Sequence, residues 1–219
     1  MRIVIFGASG MVGQGALREC LLADDVREVV SIVRTPTAVK HAKLREIVHR
    51  DFYDFTPVAG ELTNFDACFF CLGTSSIGKN EADYTRVTYD ITVAAGTVLA
   101  TRSPQLTFVF VSGAGTDSSE KGGAMWARVK GRAENAILAL PFKAAYMFRP
   151  ALIQPMHGAS SRTALYRIPY LLLSPFVPLL RRAFPRYVTT TEQLGRAMLA
   201  VARHGAPKRI LESEDINKL

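Results

Sequence analysis

The stretch MRIVIFGASGMVGQG, residues 1–15, decides the fold. Arg2 to Phe6 is a short unbroken apolar run of the kind a fully buried parallel strand shows, and it stops abruptly at Gly7. A helix pattern follows at once, with Val12, Ala16, Leu17 and Cys20 on one face. Strand, tight glycine turn and helix are the context in which a G-x-x-G-x-x-G spacing carries chemistry. Gly7 lets the chain leave the strand sharply, Gly10 lets backbone approach a pyrophosphate, and Gly13 lets the helix pack close to the sheet. The helix start offers unpaired N–H groups and partial positive charge to an anion. The stretch therefore predicts a dinucleotide site, with Ser9, Met11 and Val12 in the loop beside the glycines.

Outward from that loop, strand patterns at Glu28 to Val33, Leu44 to His49, Asp66 to Leu72, Leu106 to Val111 and Ala144 to Phe148 alternate with helix patterns at Glu81 to Thr101 and Met125 to Leu140. Asn80 suits an N-cap with Asp83 three residues on, and Pro141 closes the later helix. This alternation predicts an α/β doubly wound parallel sheet with strand order 3-2-1-4-5-6. Beyond Pro150 the pattern changes. Tyr166 to Phe184 is very apolar but broken by Pro169, Pro175 and Pro178, which predicts a packed lid within about 151–190 or a contact between subunits. Contact with a membrane surface, helped by Arg181 and Arg182, is the lesser alternative. An amphipathic helix at Thr191 to Arg203 and a short strand at Lys208 to Leu211 end the pattern.

With 219 residues, 48% of them hydrophobic, the composition fits one well-packed domain over 1–219. There is neither an apolar run of membrane-spanning length nor a basic region leading into an apolar core before the first strand, so the expected location is the cytoplasm. Cys20, Cys68 and Cys71 fall inside apolar segments and read as core thiols, not as a disulfide framework. Cys68 and Cys71 are three apart on a strand pattern and so face opposite ways. His41, His49, His157 and His204 have no ligand spacing, so no metal is expected. Residues 1–119 hold 11 Lys and Arg against 13 Asp and Glu, whereas residues 120–219 hold 16 against 6. The basic half suits an anionic small-molecule substrate. No recognition helix or RNA-binding motif accompanies it, so nucleic acid is not an expected partner.

In open parallel sheets ligands bind at the carboxyl ends of the strands. Arg34 ends the second strand, twenty-one residues after Gly13, where an acidic residue would favour NAD and an arginine favours a 2′-phosphate. NADP(H) is therefore expected over NAD(H). Asp51 and Phe52 after the third strand are placed to flank an adenine, and Leu72, Gly73 and Thr74 after the fourth to pass beside the ribose and pyrophosphate.

The motifs GASGMVG, the Asp51–Phe52 pair, CLGTS after the fourth strand, Ser112 after the fifth, Lys130 in WARVKGRAE, and FRPALI together resemble the short-chain dehydrogenase/reductase superfamily. Within it, VKGRAE, FRP and the closing LESEDINKL are similar to the atypical branch that includes the Tat-interacting-protein tumour suppressor and its bacterial relatives. The resemblance covers nearly the whole chain. It implies a Rossmann fold binding NADP(H), with Gly7, Gly10 and Gly13 at the pyrophosphate and Lys130 at the nicotinamide ribose. It also implies catalysis by a serine and a Tyr-x-x-x-Lys pair, in which the lysine cation favours the phenolate and the tyrosine exchanges a proton with a substrate oxygen. Ser112 and Lys130 match; the tyrosine position is Trp126, whose indole is no proton acid or base near neutral pH. Two readings stay open: an oxidoreductase or epimerase whose proton comes from water, Ser112, Tyr166, Tyr187 or His157, and an NADP(H)-binding sensor without turnover.

Overall fold

A computed structural model describes residues 1–159 and 186–219. In chain order the elements are β1 (Arg2–Phe6), α1 (Met11–Leu22), β2 (Glu28–Val33), β3 (Leu44–Val48), β4 (Ala67–Phe70), α2 (Glu81–Thr85), α3 (Ile91–Arg102), β5 (Thr107–Val111), α4 (Met125–Ala139), β6 (Ala144–Arg149), β7 (Leu152–Gln154), β8 (Val188–Thr190), α5 (Thr191–His204), β9 (Ile210–Glu212) and α6 (Ser213–Ile216). One sheet runs β3-β2-β1-β4-β5-β6-β9, every pair parallel. The expected order 3-2-1-4-5-6 is present and gains β9 beyond β6. A separate parallel pair, β7 with β8, joins the two described ends of the stretch expected to form a lid. The apolar run Tyr166 to Phe184, with the subunit and membrane contacts expected of it, lies outside the described residues.

The central strands are apolar along their whole length because both sheet faces are covered. On one face Ile3, Ile5, Phe69 and Phe148 meet α1 and α5 residues such as Ala16, Leu17, Leu194 and Met198. On the other, Val4, Phe6, Phe70 and Phe110 meet Leu99, Ala133 and Ile137 of the helices there. Cys68 belongs to the second cluster and Cys71 packs against the first, so the two do face opposite sides. All three thiols are free, and burial raises the pKa of each, that of Cys71 to about 12. No helix among the described residues is long and apolar enough to cross a membrane.

The helix expected over Glu81 to Thr101 is interrupted. Asn80 caps α2 by accepting from the Asp83 N–H at 2.8 Å, a π-helical turn spans Arg86–Asp90, and α3 continues beyond it. The ladder is in step across the sheet centre: Phe6 pairs with Phe70, and Phe70 with Phe110. The segments leaving β1, β4 and β5 therefore emerge at one level. Gly7 turns the chain away from β1 with φ of +84°, where a side chain would be strained. Gly13 then sits so near that turn that a Cβ added to it would lie 2.0 Å from the Gly7 carbonyl oxygen.

Gly13→Ala is accordingly expected to destabilise the chain by about 1–3 kcal/mol, the usual cost of overpacking. Urea unfolding followed by circular dichroism measures this; an unchanged midpoint would mean that α1 does not bear on the Gly7 turn.

Candidate functional site

Level strand ends open a cavity of about 510 Å³ at their carboxyl side. Gly10, Met11 and Val12 of α1 line it from one side, Cys71 to Ser75 from the end of β4, and Val111 to Ala114 from the end of β5. Lys130 of α4 and Pro150 to Ala151 close it. Thus Gly10, Met11, Val12, Leu72, Gly73, Thr74, Ser112 and Lys130, far apart in sequence, share one hollow. At its α1 wall the helix begins with Gly10 in extended conformation, without a side-chain cap and without an acidic residue in the first turn. By contrast, Asn80 caps α2 and Thr190 caps α5. The first-turn N–H groups of α1 have no side chain competing for them, which suits an anion. A Cβ at Gly10 would meet only the Gly7 carbonyl oxygen, at 3.3 Å, so bulk added here would extend from the loop with little obstruction.

Beside this hollow, Ser9, Val33, Arg34, Thr35 and Arg50 line a second one of about 430 Å³. Arg34 ends β2 and Arg50 follows β3, so two exposed guanidiniums stand at neighbouring strand ends. Neither has a carboxylate partner among the described residues. Asp51 is exposed, its carboxylate accepting from the Tyr53 N–H at 2.9 Å. Phe52 is buried in the core among Phe6, His49 and Phe55. Its ring is committed to packing, which corrects the expectation that it flanks an adenine with its face. A larger cavity of about 740 Å³ follows the outer side of α1, and it includes Ser9 and His157.

Beneath Lys130 lies a buried charged cluster. Glu134, one turn further along α4 and fully buried, accepts from Ser112 Oγ and from Arg149 Nε at 3.0 Å, and its other oxygen accepts from Arg149 Nη2. Arg149 Nη2 also donates to Ser118 Oγ, and the hydrogen bond to the Glu134 carboxylate raises the guanidinium pKa. Lys130 Nζ donates to the Ser112 carbonyl. Burial pushes the Lys130 pKa down to about 8, and Glu134 only partly opposes the fall. Ser112 was expected to orient a substrate oxygen. Its hydroxyl instead turns inward to Glu134, with the Phe148 carbonyl 3.2 Å away, because a buried carboxylate demands donors. Arg149, at the end of β6, bonds the neighbouring helix through Glu134.

Trp126 stands four residues before Lys130, but its indole packs towards Gly115, and it does not line the Lys130 cavity. His157 pairs with Glu192 along the larger cavity, Tyr187 is exposed, and Tyr166 is outside the described residues. No group of His, Cys, Asp and Glu that could hold a metal occurs among the described residues. Sequence reasoning missed Arg50 and Glu134. The signals available were the polar run HRD after the third strand and the lone acid in WARVKGRAE, four residues after the lysine.

No family model matches the chain. It is 24% identical over 207 residues to Protein FMP52, mitochondrial, of Meyerozyma guilliermondii, an alignment covering 92% of this chain and 85% of that protein. Among solved structures it superposes on MoeE5 in complex with UDP-glucose and NAD, at a TM-score of 0.68 and 19% identity, covering 96% of this chain and 75% of that one. UDP-glucuronic acid 4-epimerase from Bacillus cereus in complex with NAD gives a TM-score of 0.66 at 14% identity, covering 96% and 76%. The fold shared with these NAD-bound structures is a Rossmann-type α/β fold. Its Rossmann core places glycine loop, strand-end segments and helix lysine as the sequence motifs anticipate. Trp126 stands where the sequence resemblance implies a tyrosine, and the Ser112 hydroxyl donates to Glu134.

Removing Glu134 would leave Arg149 buried without its partner. Glu134→Ala is expected to cost about 3–5 kcal/mol, the range for breaking a buried pair, measured by urea unfolding against the parent chain. A loss below about 1 kcal/mol, the worth of a surface pair, would contradict the buried cluster.

Proposed function

We propose that the chain is an NADP(H)-binding, oxidoreductase-like protein that reduces or epimerises a small substrate. The observation that carries this reading is the convergence of an uncapped α1 start, the Leu72 to Thr74 segment and Lys130 on one cavity, with Arg34 and Arg50 in the hollow beside it. Residues present fit the dinucleotide. The α1 loop would hold the pyrophosphate, Leu72 to Thr74 would run beside it, and Lys130 would reach the nicotinamide ribose. Arg34 and Arg50 would pair with a 2′-phosphate, a group that rewards guanidinium contacts and that NAD(H) lacks. When bound, the nicotinamide supplies or accepts a hydride. The NAD in the structures similar to this one supports a nicotinamide dinucleotide; the preference for the phosphorylated form rests on the two arginines.

The substrate side draws on the basic second half of the chain, so the substrate class is a small anionic molecule. Location in the cytoplasm is part of the same reading, although the FMP52 relative carries the word mitochondrial in its name. A second reading, an NADP(H)-binding sensor or regulator without turnover, is favoured by Trp126 at the tyrosine position with its indole packed towards Gly115.

Titration of two variants with NADPH and NADH by calorimetry tests the reading. Arg34→Asp is expected to weaken NADPH at least about tenfold, the loss of one charge-assisted contact, and to leave NADH unweakened. Gly10→Glu is expected to abolish binding of both while preserving the thermal midpoint. NADPH affinity unchanged in either variant would remove that residue from the site.

A further inference from the structure

We propose that Lys130 itself is the proton donor to the substrate oxygen, taking the place left by the missing tyrosine. This rests on the NADP(H) reading above and deepens it.

The geometry leaves Lys130 as the cavity-lining group suited to the task. The cavity wall is otherwise glycine, apolar side chains, hydroxyls at Thr74 and Ser75, and the Cys71 thiol. Serine and threonine hydroxyls do not titrate near neutral pH. Burial keeps the Cys71 thiol protonated and a poor acid. The Ser112 hydroxyl donates a hydrogen bond to the Glu134 carboxylate, and the Trp126 indole lies outside the wall. Lys130 Nζ has one bond, to the Ser112 carbonyl, which leaves two N–H bonds for the cavity.

Its charge environment suits release of a proton. A lysine beside a free carboxylate would be held as an ammonium. Glu134 is the acidic group facing Lys130 from its own helix, and it is already satisfied by Arg149 of β6 and by Ser112 from the end of β5. From the end of β4 the titratable neighbour is Cys71, neutral in this range. Glu134 and Arg149 thus compensate one another, and burial brings Lys130 to about 8. This is the range in which a group can both hold and release a proton at neutral pH.

For a carbonyl substrate the step balances. The carbonyl carbon accepts hydride from reduced nicotinamide and the C=O π pair moves onto oxygen. One N–H bond of the Lys130 ammonium breaks as the new O–H bond forms. The substrate is reduced to an alcohol, the nicotinamide is oxidised, and neutral Lys130 regains its proton from water. Because the donor is the ammonium, reduction should be fastest below the Lys130 midpoint and fall as pH rises through it.

Two measurements test this on the full chain. In the first, lysine side chains labelled with ¹⁵N are titrated by NMR, with Lys130 assigned from the signal lost in Lys130→Arg. The expected midpoint is near 8, and a midpoint in the ordinary lysine range, about 10.4, overturns the proposal. In the second, 9,10-phenanthrenequinone is the carbonyl probe with NADPH as reductant, and NADPH binding is followed separately by calorimetry. Wild-type turnover should fall about tenfold per pH unit above the midpoint, and Lys130→Arg, which keeps the charge but holds its proton, should lose at least about a hundredfold. Turnover of the arginine variant at the wild-type rate overturns the proposal, as does NADPH binding by the wild type with no reduction of the quinone. Absence of NADPH binding would instead sink the NADP(H) reading on which the proposal rests.

Discussion

Helix α1 can approach the end of β1 only because Gly13 has no side chain to meet the Gly7 carbonyl oxygen. That contact sets where the first turn of α1 points, and its uncapped N–H groups therefore face the cavity and not a neighbouring side chain. The parallel register does the rest. With Phe6, Phe70 and Phe110 aligned, three connecting segments leave the sheet together and form the walls of one hollow. Packing at one glycine and register along three strands thus position an uncapped helix start at the cavity wall before any charged side chain contributes. Arg34 and Arg50 then add positive charge at the end of the same sheet, on the side where β2 and β3 finish.

The second organising feature is electrostatic. A carboxylate with no exposure is expensive unless it is fully paired. Glu134 meets that demand by taking bonds from Arg149 and from the Ser112 hydroxyl, tying α4 to β6 and to the end of β5. This is why Ser112 is turned inward and why Lys130, one helical turn earlier, has no free carboxylate of its own.

Much of this was legible in the sequence, for physical reasons that differ by element. β1, β4, β5 and β6 are buried on both faces and so appear as uninterrupted apolar runs between glycine and polar stops, which fixes their order and their carboxyl ends. Loop residues Gly10 to Val12 and Leu72 to Thr74 follow directly from those ends, Lys130 came from the resemblance of WARVKGRAE, and they do meet. Side-chain direction was not legible. Phe52 and Ser112 occupy the anticipated backbone positions, but core packing claims the ring and a buried carboxylate claims the hydroxyl, and both claims come from residues distant in sequence. The π turn at Arg86–Asp90 escaped notice because the apolar spacing continues across it. β7 and β8 are three residues each, too short for periodicity to reveal.

Calorimetric titration of the wild-type chain with NADPH, and in parallel with NADH, most directly tests whether this cavity is a phosphorylated dinucleotide site. The account predicts one-to-one binding with NADPH at least about tenfold tighter, the worth of one charge-assisted contact. No heat with either nucleotide, or tighter binding of NADH, would contradict it.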